Sequence, residues 1–157
     1  QLINHEIVME VRQAANAYHI IDNMTFLYLV NDIKYFASIH LITEEEVTKL
    51  QEELLRLLDD LETIASRGKF DSGKDIHIYI SNINFEATYS FVETSSLQLS
   101  LIRIFSINSI TSRDKEMCKN LKEWIQSLRK FSTMISESGE MQRIQFFKKQ
   151  RELVEKM

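Results

Sequence analysis

The sequence has no proline, and among its 157 residues only three are glycine: Gly68, Gly73 and Gly139. Proline and glycine punctuate the loops of sandwiches, barrels and α/β folds, so their scarcity predicts few turns and long continuous elements. Cys118 is the lone cysteine, which excludes an intrachain disulfide and a cysteine-based zinc site. No run of about eighteen apolar residues is present, and the first residues lack the pattern of a signal peptide. The three glycines are too scattered to cradle a phosphate. Positive charge is also short, with 19 Lys and Arg against 23 Asp and Glu for a net charge of −4, which argues against a nucleic-acid partner. None of His5, His19, His40 or His77 follows a Glu by three positions, so the Glu-x-x-His pairs of di-iron bundles are missing and neither a metal nor a cofactor is expected.

What the sequence has in abundance is apolar residues at helical spacing. Residues 47–64 place Val47, Leu50, Leu54, Leu57, Leu61 and Ile64 at alternating intervals of three and four, preceded by Thr43 and Glu46 in the arrangement of a capping box. A helix over 44–67 follows, with a loop at 66–75 that holds two of the three glycines. The spacing of Ile7, Val11, Tyr18, Ile21, Tyr28, Tyr35 and Ile39 predicts a first helix over about 2–40, roughly 60 Å long at 1.5 Å per residue. A third helix is read over about 76–108. There "DIHIYIS" alternates as a strand does, yet no second strand-like run offers it a partner, and only Glu86, Glu93 and Arg103 are charged between Ile76 and Ile110. Thr111 or Ser112 is expected to cap a fourth helix over 112–156, with a seam of Met117, Leu121, Trp124, Leu128, Phe131 and Ile135 and a kink near Gly139.

The expected fold is therefore all-α: one domain over 1–157, an elongated antiparallel up-down-up-down four-helix bundle of coiled-coil-like seams. In that bundle both chain ends and a basic cluster share one pole. A polar waist would collect His19, Asp22, Asn23 and Thr25 opposite Ser90 and Thr94, as a small-ligand cleft between helices. Hydroxyls bonding back to their own helix are the plainer account of the same residues. The low charge from Gln13 to Asn31 predicts a homodimer through the first helix.

Two functions fit such a molecule, neither of them catalytic. One is a ligand-sensing domain outside the cytoplasm, part of a membrane receptor of the chemoreceptor or sensor-kinase type. It would signal by helix displacement and connect to the membrane through flanking segments, since the chain starts at Gln1 and ends at Met157 within a helical pattern. The other is an intracellular helical module for protein-protein interaction or scaffolding.

Overall fold

The computed structural model describes residues 16–71, 73–83, 87–93, 98–104 and 108–157. Its first element is a strand, β1 (Asn16–Asp22), followed by two helices, α1 (Thr25–Ser38) and α2 (Glu44–Arg67). Four strands come next: β2 (Asp75–Ser81), β3 (Ala87–Glu93), β4 (Gln98–Ile104) and β5 (Asn108–Ser112). Helix α3 (Lys115–Leu128), a 3-10 turn over Arg129–Phe131, the short β6 (Ser132–Met134) and helix α4 (Glu140–Glu155) complete the order. The strands form one mixed sheet in the order β5-β4-β3-β1-β2-β6, parallel between β1 and β2 and antiparallel elsewhere. Parallel neighbours need a crossover rather than a hairpin, and α1 with α2 supplies it.

Register and alternation assign the two faces of the sheet. Ala17 lies beside Ile76 and Ile21 beside Ile80, so these residues share a face. They pack with Phe26 and Val30 of α1, Leu58 and Ala65 of α2, and Phe147 and Val154 of α4. Ile20 beside Tyr79 faces the other way, onto Cys118, Leu121, Ile125 and Leu128 of α3. The molecule thus has three layers with helices on both faces. Within the three-helix layer, α4 packs against both α1 and α2, which barely touch each other. Gln51 donates to the carbonyls of Val154 and Glu155, and Arg151 pairs with Asp59 and Glu62, so α4 runs antiparallel to α2. Leu58 is fully buried, and truncating such a side chain to alanine costs about 2–5 kcal/mol.

This architecture corrects the all-α expectation; the chain is mixed α/β, neither a four-helix bundle nor a coiled coil. The first helix, read over 2–40, is in its described part β1, a turn at Asn23 and Met24, and α1; residues 1–15 lie outside the described residues. A central strand covered on both faces loses the alternation that marks half-buried strands, so "NAYHIID" passes for helix. It is also the partner that "DIHIYIS" required. The third helix over 76–108 is replaced by β2, β3, β4 and the start of β5. The fourth is cut at Leu128 by the 3-10 turn and β6, so Gly139 marks a new helix start and not a kink. Its N-cap is Asp114, whose side chain accepts from Met117 N at 2.8 Å. The buried stripe of α3 runs through Cys118, Leu121, Ile125 and Leu128, one residue out of phase with the expected seam in its middle, which leaves Trp124 and Phe131 exposed. The low charge of residues 13–31 has an explanation inside the chain, since Ala17, Ile20, Phe26 and Val30 are buried in its own core.

Candidate functional site

Four of the six residues picked from the sequence fall on one short segment at the carboxyl end of β1. Asp22 is fully buried. Its Oδ1 accepts from Met24 N at 2.7 Å, and its carbonyl accepts from Thr25 Oγ1 at 2.8 Å. Both bonds are short-range and turn the chain from strand into helix, a use to which Asp and Thr are suited because their side chains reach nearby backbone. Asn23 N donates to the carbonyl of Ser81 at 3.3 Å, tying this turn to the end of β2. His19 lies on the opposite face from Asp22, since three positions separate them along a strand. Burial pushes its pKa down from 6.5 to about 4, so the ring is neutral near pH 7. Ser90 sits directly across from His19 in the β1-β3 ladder. Thr94 lies outside the described residues. The structure thus gathers Asp22, Asn23 and Thr25 as a turn, pairs His19 with Ser90 across a ladder, and does not direct His19 and Asp22 into one cleft.

On the α3 face, Tyr18 stacks on His77 with ring centroids 4.7 Å apart. Tyr18 also lines a small hollow, no larger than a water molecule or so, with Lys122, Ile125 and Gln126. On the same face the Arg129 guanidinium stands 5.0 Å over the Tyr79 ring, a cation-π contact that anchors the 3-10 turn to β2. Burial raises the Tyr79 pKa and the nearby Arg129 opposes that rise, so the phenol stays protonated at neutral pH.

A different feature stands out at the junction of α1 and α2, which we call the tip. Helix α1 ends in a Schellman turn: Leu41 N donates to the Phe36 carbonyl at 2.9 Å, and His40 N to the Ala37 carbonyl at 3.0 Å. The left-handed position of that turn, at φ 57°, holds His40, where glycine is the usual occupant. Three residues on, the Thr43 and Glu46 capping box is complete, with Glu46 N donating to Thr43 Oγ1 at 3.2 Å and Thr43 N to Glu46 Oε2 at 2.7 Å. These bonds to Thr43 hold the Glu46 carboxyl below its ordinary pKa. The backbone from Tyr35 to Glu46 is therefore fixed by two interlocking helix-end motifs. On it, Tyr35, Ile39 and Leu41 are 60%, 51% and 66% exposed. Sequence reasoning passed over this stretch as a plain turn. The signal it offered was "IHLI" between a helix end and a helix cap: apolar residues in a link too short to fold back onto a core.

No protein-family model matches the chain, and comparison with curated proteins and with solved structures returns no match.

Proposed function

We propose that this protein acts by binding another protein, without catalysis of its own, and that the tip between α1 and α2 is the binding surface. One observation carries the reading: three large apolar side chains, each more than half exposed, crowd into seven residues of rigid backbone. Single exposed apolar residues are common on soluble proteins, and Leu57, Ile83, Trp124 and Phe131 are examples here, while Met141 and Ile144 make an exposed pair on α4. A cluster on preorganised backbone differs, because a partner can bury it with little ordering cost. The strained left-handed His40 points the same way, since backbone strain tends to persist where a local shape is used. Of the two functions expected from the sequence, this keeps the interaction module; the receptor was argued from the poles of a bundle that the chain does not form. A photoreactive residue at position 41, in cells that natively make the protein, is expected to give discrete adducts that vanish in an Ile39→Ser background. Adducts unchanged by Ile39→Ser, or no adducts beyond those of a probe at Lys130, would argue against the tip.

A further inference from the structure

Resting on the reading of the tip as a docking surface, we infer that its partner presents apolar anchors flanked by lysine or arginine. The apolar cluster is followed at once by Glu44, Glu45 and Glu46, all exposed. The acidic character continues along α2, where eight acids face two bases between Glu44 and Glu62. One of those bases, Lys49, is already engaged with Glu45 at 2.9 Å. Downstream, Glu52, Glu53 and Asp60 are exposed as well, whereas Asp59 is already paired with Arg151. A partner that buries Tyr35, Ile39 and Leu41 must bring its own rim up to this acidic helix. A basic rim is attracted there and an acidic one repelled, with the selectivity expressed mainly in association rate and partner choice.

The same charge weighs against two other occupants. A second copy docking tip to tip by a two-fold axis would set the acidic start of one α2 near that of the other. A membrane surface rich in anionic lipid would meet the same repulsion. A basic protein segment satisfies both halves of the surface, the apolar cluster and the carboxylates beside it.

The test is a titration of the isotope-labelled full chain, followed by its amide resonances, with two short synthetic helical peptides. Both carry leucine at helical spacing; one has lysine and the other glutamate at the remaining positions. The lysine peptide is expected to shift the amides of Tyr35, Ile39, Leu41 and Glu44, to bind at least about tenfold more tightly than the glutamate peptide, and to weaken as salt is raised. Glu44→Gln with Glu45→Gln should erase that preference, while Ile39→Ser with Leu41→Ser should abolish binding of the lysine peptide. Equal binding of the two peptides at the tip overturns the basic-partner inference and leaves the docking surface standing. Binding centred elsewhere, or no binding by either peptide, overturns the inference, and photoreactive adducts at position 41 then decide separately whether the tip docks anything. Self-association that Leu41→Ser removes would assign the tip to a second copy, and sedimentation with phosphatidylcholine vesicles would assign it to lipid; either result displaces the basic partner.

Discussion

The two ends of α2 put the same backbone device to opposite uses. The helix has 24 residues, so about 36 Å separates its ends at 1.5 Å per residue. Next to each end stands a non-glycine residue in the left-handed conformation, His40 before the start and Glu137 beside the finish. At the finish, everything is locked. Gly68 is itself left-handed at φ 59°, its carbonyl accepts from Ile76 N at 3.1 Å, and Glu137 N donates to the Ala65 carbonyl at 2.8 Å. A Cβ on Gly68 would come within 2.7 Å of the Glu137 Cβ. At the start, the left-handed turn is bonded within its own helix end and holds up apolar side chains that stay more than half exposed. Strain at one end closes the fold; strain at the other presents a surface. The contrast teaches that an unusual backbone angle acquires meaning from what packs on it.

Substitutions can break that contrast, and the closed end should yield the largest effects. Next to the Glu137 turn, a Cβ on Gly139 would lie 2.1 Å from the Met134 carbonyl oxygen and 3.1 Å from Ile135 Cα, both of them backbone. Gly139→Ala is therefore expected to cost at least about 3 kcal/mol in urea unfolding, since no side chain can step aside. A comparable loss should come from acid. His19 is held near pKa 4 in the fold against 6.5 when unfolded, so below 6.5 the unfolded chain takes up a proton that the native chain refuses until about 4. Its contribution is complete above pH 6.5 and falls away between 6.5 and 4, by up to about 3 kcal/mol at 1.36 kcal/mol per unit. His19→Gln should flatten this part of the stability profile against pH, leaving the carboxylate contribution at lower pH.

Smaller effects sharpen the comparison. Gln150 is buried in the inward stripe of α4, and its Oε1 accepts no hydrogen bond from any of the described residues. A buried acceptor left unpaired costs about 1–3 kcal/mol, so Gln150→Met should stabilise the protein by about 1 kcal/mol in the same unfolding assay. At the tip, His40→Gly should change stability by no more than about 1 kcal/mol, with relief of left-handed strain offset by the greater freedom of glycine in the unfolded chain. Differential scanning calorimetry resolves that difference.

How much of this was legible in the sequence depended on whether a residue's environment was set nearby or far along the chain. The α2 helix, its Thr43 and Glu46 cap, and the loop after Arg67 all rest on neighbours within a few residues, and the spacing displays them directly. β1 and β2 are strands only because they pair with one another across more than fifty residues. Neither "NAYHIID" nor "DIHIYIS" announces that pairing. In α3 the period was legible and the phase was not: Trp124 fits the seam by spacing, yet Ile125 turns inward because the sheet lies on its side of the helix. The candidate cleft shows the same division. Asp22, Asn23 and Thr25 are drawn together by a local turn, whereas the relation of His19 to Ser90 depends on a strand register that helical levels matched without its cause. The tip escaped notice for a simpler reason: it has neither glycine nor proline, and turns are ordinarily sought where those residues stand.

The most direct measurement is a side-by-side comparison of wild type and the Ile39→Ser, Leu41→Ser double variant, with melting temperature and lysine-peptide binding read on the same samples. Melting is expected within about 2 °C of wild type, as for other exposed positions, together with loss of binding. A large fall in melting temperature would show that these side chains hold the fold together, and unaltered binding would show that the docking surface lies elsewhere.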